Sequence, residues 1–218
     1  TLKQRLSALR WWAEKIGKPN VIAKDNAMYG IGSRQFVCRD SKAQALTSES
    51  LANIRDPYTH ASLRLQQAFG LRREEAIKFI PRYADQGDSI RLKSSWTKGG
   101  KERVIPVRTV EQRALLYELT QRYGNSALIP PECRYIQQLR RYEKQTTRAG
   151  LHKLHGLRHA YAQNRYRELA GWPSPVNGGP MWRQLSPNQK QHDKIVRAKI
   201  ARELGHERIS ILSAYLGR

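Results

Sequence analysis

The chain has 218 residues, with 40 lysines and arginines against 18 aspartates and glutamates, a formal net charge of +22. Hydrophobic residues at 39% and charged residues at 27% exclude a chain disordered throughout, and no apolar run approaches the roughly 20 residues of a membrane span. So large a positive excess calls for a polyanionic partner, and the length allows one domain, or one with a small attachment.

No hydrophobic leader is visible, and the expected compartment is cytoplasmic. Cys38 and Cys133 are far apart and form no disulfide framework, so both read as inert thiols. Because the sequence begins at Thr1 rather than Met, it is expected to continue a longer protein with a further N-terminal domain.

Leu2, Leu6, Leu9, Trp12, Ala13 and Ile16 recur at three- and four-residue steps, which predicts a helix ended by Gly17 and Pro19. Trp11 and Trp12 read as core rather than as base-stacking platforms. A second short helix is expected over Ile22 to Tyr29, then a linker, with a new unit from Lys42. Ser48 to Arg55 reads as a short helix with Thr47 or Ser48 as N-cap and Glu49 in its first turn. With Ser50 three residues after Thr47, a full capping box is not expected.

His60 to Pro81 predicts two helical stretches meeting at Gly70. Ile90, Leu92 and Trp96, then Val104, Ile105 and Val107, flank Lys98-Gly99-Gly100-Lys101, the pattern of a β-hairpin with a glycine turn. Helices are expected over Thr109 to Tyr123 and Tyr135 to Thr147, separated by the Pro130-Pro131 break. Residues 171–190 collect prolines and glycines and read as loop. Helical periodicity resumes from Ile195 to Leu204, stops at Gly205-His206 and returns from Ile209 to Leu216. The expected fold class is mainly α with a small antiparallel β-sheet, α+β.

Residues 134–167 hold nine basic residues against Glu143 alone. Arg134, Arg140, Arg141, Lys144, Arg148 and Lys153 are therefore candidates for gripping nucleic-acid phosphates. Charge by itself does not separate DNA from RNA.

Five short pieces carry the chemistry. Gly70-Leu71-Arg72-Arg73-Glu74-Glu75 puts an arginine into the first turn of a helix, where free N–H groups and the positive dipole end also favour an anion. Arg72 and Arg73 both fit. Lys98 and Lys101 stand at the two sides of the glycine turn, each able to reach into a groove. His155 and Arg158 are three apart, so on a helix they project from one face. His206 follows Leu204-Gly205, and Tyr215 comes nine residues later. His155 and His159 have a spacing that could hold zinc, but no further ligand motif accompanies them and no metal site is expected. His159 is expected in packing or at a phosphate, and Tyr161 and Tyr166 lack a preceding Leu-Gly-His.

In this order the pieces resemble the tyrosine recombinases, the phage-integrase-like site-specific DNA recombinases, over roughly Lys42 to Arg218. The resemblance implies that family's catalytic-domain fold over 42–218, with 171–190 as a loop insertion. It also implies that 1–41 is the C-terminal remnant of a helical core-binding (SAM-like) domain plus linker. Position by position, Arg72 matches the first catalytic arginine because it directly follows Gly-Leu, and Glu75 its acidic support. Lys98 matches the hairpin lysine, His155 and Arg158 the HxxR pair, His206 the LGH histidine and Tyr215 the nucleophile.

The implied chemistry is cleavage and rejoining of DNA strands through a covalent 3′-phosphotyrosine, with a Holliday junction as intermediate. Guanidinium forks suit the negative charge that builds on the phosphate oxygens, so no metal, ATP or other cofactor is expected. A free phenol has a pKa near 10 and is almost wholly protonated at neutral pH, which calls for a proton acceptor such as His155. Lys98 is placed to protonate the departing 5′-oxygen.

The implied partners are double-stranded DNA at attachment sites, a homotetramer on synapsed DNA from protomers that are monomeric or weakly associated when free, and an accessory DNA-bending or directionality factor. The implied setting is a prophage or other mobile element in the bacterial nucleoid. Type IB topoisomerases use a similar residue set, and a catalytically idle DNA-binding regulator is the non-enzymatic alternative; motif order and the LGH-to-Tyr spacing favour a recombinase. The insertion is expected to touch DNA or a neighbouring subunit. The resemblance implies a segment after Tyr215 that docks on an adjacent protomer, and three residues follow Tyr215 in this sequence.

Overall fold

A computed structural model of the chain describes residues 1–32 and 37–218. Contacts divide it into two units, Thr1–Phe36 and Val37–Arg218. The second begins before Lys42, because Cys38 N donates to Ser213 O (2.9 Å) and Ser41 Oγ to Gln163 Oε1 (2.9 Å). The linker expected after Tyr29 falls partly on 33–36, outside the described residues.

In the first unit, α1 (Leu2–Lys15) follows the apolar spacing and stops before Gly17, which has a positive φ of 71°. The single helix expected over Ile22 to Tyr29 is instead two 3-10 turns, Pro19–Val21 and Asn26–Tyr29. The Asp25 side chain accepts from Ala27 N (2.9 Å) and restarts the chain, while Arg10 holds Ala23 O and Asn26 Oδ1 from α1. Trp11 and Trp12 are 62% and 56% exposed, not core.

The second unit is mainly helical with one two-stranded sheet. It opens with α2 (Ser48–Ala52), where the Ser50 hydroxyl accepts from Thr47 N (3.0 Å) and completes the capping box that a glutamate would normally supply. The next helix, α3 (Pro57–Phe69), starts ahead of His60. Asp56 caps it by accepting from Thr59 N (2.8 Å), and Pro57 sits in the first turn where no N–H is needed. Gly70 ends α3 in the left-handed conformation. Then come α4 (Arg73–Ile77) and α5 (Pro81–Ala84).

The sheet is shorter than the sequence pattern. β1 (Ser89–Leu92) pairs antiparallel with β2 (Arg103–Pro106), Ile90 opposite Ile105 and Leu92 opposite Arg103. The connection is no tight glycine turn but the whole of Lys93 to Glu102. Trp96 leaves the strand for a 3-10 turn, Ser94–Trp96, and buries its ring beside Phe79 and Tyr83. Beyond the sheet are α6 (Val110–Tyr123), α7 (Tyr135–Arg148) and α8 (Gly156–Ala170).

Within 171–190, only the part up to Ser186 is loop, with 3-10 turns at Pro175–Asn177 and Trp182–Gln184. Ser186 caps α9 (Pro187–Glu203) with Pro187 in its first turn. The early turns of α9 are polar and largely exposed, so they carry no apolar rhythm until Val196 and Ile200 reach the core. Residues 209–216 are a 3-10 turn, Ile209–Leu212, leading into α10 (Ser213–Leu216).

The main core is centred on α3, whose Leu65 and Phe69 are fully buried against α8, α6 and α4. The run 134–167 does not lie wholly on the surface: Arg158 and Arg165 are both buried, and Glu203 holds Arg165. Among the described residues no helix is long and apolar enough to cross a membrane.

Gly70 is needed for two reasons. Its φ is +62°, and a Cβ there would lie 2.7 Å from the Tyr161 ring. Gly70→Ala is expected to cost roughly 2–4 kcal/mol from left-handed strain and overpacking, read from the denaturant midpoint at unchanged slope. A loss within error of zero would contradict this reading.

Candidate active site

Arg158 sits in the first turn of α8 and is 1% exposed. A guanidinium taken out of water needs partners. Nη1 donates to Gly70 O (2.5 Å) and Nη2 to Leu204 O. Both acceptors are helix C-caps, of α3 and α9, where carbonyls lack intrahelical donors and the dipole is negative. Burial first, then the Arg72 charge, lowers the Arg158 pKa to about 10, which leaves it cationic at neutral pH. Its Nε–H is buried with no partner.

Arg72 is the N-cap of α4, and Glu75 in that helix turns back on it. Glu75 accepts from Arg72 N (2.7 Å) at one oxygen and from Arg72 Nη1 (2.7 Å) at the other. Burial alone would raise the Glu75 pKa. The charge and hydrogen bonds of Arg103, with the Arg158 charge and the Arg72 N–H, outweigh it and hold the carboxyl at about 2. Arg73 points elsewhere and pairs with Glu143 (2.9 Å).

Tyr215, in α10, is 5% exposed, and its carbonyl accepts from Gln163 Nε2 (3.0 Å). Its hydroxyl lies 3.3 Å from His155 Nε2 and 3.3 Å from His206 Nε2. One phenolic proton can be donated to only one of them, so the other ring must present an N–H to the phenol oxygen. His159, one helical turn after His155, packs its ring on Tyr215 at 4.5 Å between centroids and lies edge-on to His155 at 5.4 Å. Of the two expectations for His159, packing is what the structure displays.

The imidazoles share a positive surrounding. Partial burial lowers the pKa of His155, helped by Arg158 and Arg72. Burial, then Arg158, Arg72 and Arg103, takes His206 to about 4, and burial with His155 takes His159 to about 4. Neutral imidazoles beside a phenol at neutral pH can accept its proton.

An open groove of ≈ 540 Å³ reaches this site at His155, with Arg72, Lys98 and Lys153 also in its wall. Lys98 is exposed in the loop between the strands, whereas Lys101 across the glycines pairs with Glu207. Arg140, Lys144 and Arg148 are exposed on α7, and Arg134 is exposed at its N-cap. Arg141 is turned toward Asp56 (3.7 Å) and Glu132 (4.0 Å).

Residues 31–164 match the family model described as Integrase. The chain belongs to the integrase family, the tyrosine recombinases. The matched span of this integrase-family chain includes Arg72, Lys98, His155 and Arg158 and stops before His206 and Tyr215, which geometry brings to the same place. No curated protein matches the sequence. Among solved structures, the integrase from mycobacterium phage Brujita is 18% identical over 96% of this chain and 74% of its own, with a TM-score of 0.42. The XerH site-specific recombinase, solved bound to its difH substrate before cleavage, is 20% identical over 77% of this chain and 47% of its own, at 0.43.

Arg103 belongs to none of the five sequence pieces. It is buried on β2 and donates to both Glu75 oxygens (3.0 and 2.6 Å) and to Leu204 O (3.3 Å). The available signal was register: Arg103 shares the inward face of β2 with Ile105, an unusual place for an arginine that lacks a buried acid.

The folded-state values of His159 and His206 lie near 4 against 6.5 for the free side chain, so the unfolded chain binds more protons between those limits. Their contribution to stability is full above about pH 6.5 and declines as pH falls toward 4. NMR titration should place both imidazoles near 4 in the folded chain. Ordinary midpoints for both rings would contradict the packing described.

Proposed function

We propose that this chain is a site-specific DNA recombinase that cuts and rejoins strands through a covalent tyrosyl phosphate at Tyr215. The observation that carries the reading is the Tyr215 hydroxyl between His155 and His206, beside the buried Arg158. Tyr215 Oη attacks the phosphorus and forms the P–Oη bond, while the bond from phosphorus to the 5′-oxygen breaks. The phenolic proton passes to one of the two histidines. Lys98 Nζ gives a proton to the departing 5′-oxygen.

Charge on the nonbridging oxygens is met by Arg72, by Arg158 through donors left over from its carbonyl contacts, and by the imidazole that keeps its N–H. Preorganised donors of this kind supply about 3 to 4 kcal/mol each in acyl-transfer enzymes. The phosphoryl bond energy is retained in the ester, so attack by a 5′-hydroxyl of another strand reverses the step without ATP. No step calls on a metal. Duplex DNA is the partner, held on Arg134, Arg140, Lys144, Arg148 and Lys153 outside the reacting phosphate, with Arg141 at the edge of that set. Exchange between two duplexes cuts four strands, which with one Tyr215 per strand calls for four protomers. In this reading the unit from Val37 to Arg218 is the catalytic domain, the chain before it belongs to a core-binding domain, and integration or excision of a mobile element is the outcome.

A pool of random-sequence duplexes with a bridging 5′-sulfur at each scissile position tests this, because a thiolate leaves without an acid and does not rejoin. Wild type should give a detergent-resistant adduct at Tyr215, also in excess chelator, and Tyr215→Phe none. An equal yield from Tyr215→Phe, or strict dependence on Mg²⁺, would falsify the scheme. Lys98→Ala should cleave the recovered duplex about 100-fold more slowly with oxygen at the leaving position and near the wild-type rate with sulfur. Arg158→Ala should lose cleavage far more than binding; equal losses would favour the idle regulator. Adducts that reseal without ever exchanging strands would favour a topoisomerase.

A further inference from the structure

Arg103 does not line the groove and makes no hydrogen bond to Tyr215, yet it joins two halves of the candidate site. On one side its fork spans both oxygens of Glu75, and Glu75 passes that constraint to the backbone and guanidinium of Arg72. On the other it donates to Leu204 O, the same carbonyl that receives Arg158. Leu204 precedes Gly205-His206. A methyl on Gly205 would lie 2.6 Å from Arg103 Nη1 and 3.1 Å from its Cδ, so the backbone leading to His206 is fitted around this side chain. At the surface, Lys101 and Glu207 tie the same two segments again.

We propose that Arg103 is a positioning residue for strand cleavage: it fixes Glu75 against Arg72 and the Leu204 carbonyl against Arg158, which keeps both forks and His206 in register at one phosphate. The inference rests on the recombinase reading of Arg72, Arg158, His206 and Tyr215 above.

A purely structural Arg103 would do no more than neutralise a buried carboxylate. Lysine can supply that charge but, as a single point donor, cannot span two carboxylate oxygens and a carbonyl in fixed geometry. Glutamine supplies no charge at all. The charged groups facing Glu75 are Arg72 from the start of its own helix, Arg103 from β2 and Arg158 from α8. Without the Arg103 charge, burial pushes the carboxyl up against only two remaining cations.

The test uses the full chain and the duplex recovered by wild-type adduct formation, made with oxygen or sulfur at the bridging position. Arg103→Lys should keep wild-type affinity for that duplex and form the adduct about 100-fold more slowly. The slowing should appear equally with sulfur, because the defect lies in the clamp and not at the leaving group. Arg103→Gln should be slower still, and its rate should rise with pH through a carboxylate titration that wild type and Arg103→Lys lack. Should Arg103→Gln fail to fold, the charge-preserving Arg103→Lys decides alone. A wild-type rate for Arg103→Lys, or a fall in affinity and thermal midpoint that matches the fall in rate, overturns the positioning role. If wild type itself gives no adduct, the recombinase reading fails first and this inference falls with it.

Discussion

The Arg158 guanidinium is the constraint on which the rest of the second unit depends. Burial of a lone cation costs several kcal/mol even after relaxation, and here it is met by carbonyls from two helices far apart in sequence. The acceptors are Gly70 O at the end of α3 and Leu204 O at the end of α9. Helix C-termini suit this purpose because they offer unsatisfied carbonyls and partial negative charge together. Each helix must therefore stop where it does. Gly70 stops α3 at a positive φ, and Gly205 turns the chain at a positive φ just after the α9 cap. The ends of α3 and α9 are thus fixed by one side chain of α8, and the residues that follow those ends are Arg72 and His206.

The electrostatics follow from the same packing. Glu75 is the carboxylate among Arg72, Arg103 and Arg158, and one negative charge does not balance three positive ones. The excess field works in two directions. Added to burial, which is the larger cause, it depresses the neighbouring imidazoles and favours their neutral form. It also leaves preorganised cationic donors in excess beside the Tyr215 hydroxyl, an arrangement suited to an anion.

Legibility in the sequence followed how local each feature is. The helix of Thr109 to Tyr123, the break at Gly70 and the Gly205-His206 turn carry their signals within a few residues, and the structure has them there. The site motifs were readable because the residue types are chemically restricted: a fork, an imidazole and a phenol at fixed spacings. Arg103 was hidden because its partner Glu75 is remote in sequence, and only the pairing of β2 with β1 turns it inward. The start of α9 was hidden because its first turns face solvent and carry no apolar rhythm. Charge counting over 134–167 overstated the surface potential, since composition cannot tell that Glu203 takes Arg165 into the interior.

Residues 171–186 connect α8 to α9. α8 and α9 pack against each other, so their ends are set by the core and not by the length of the connection. The connection is nonetheless fastened to the segment that carries Tyr215. Asn177 Nδ2 donates to Gln163 Oε1 (3.0 Å), which also receives Ser41, and Gln163 Nε2 donates to the Tyr215 carbonyl. A Cβ on Gly217 would meet Val176 and Pro175 at 3.0 and 3.2 Å, so the turn after Tyr215 closes directly on the Pro175–Asn177 turn. A four-residue helix such as α10 has little stability of its own. The 171–186 loop and the strap from Cys38 to Ser41 supply contacts that hold the Tyr215 backbone while its hydroxyl lies between the two histidines.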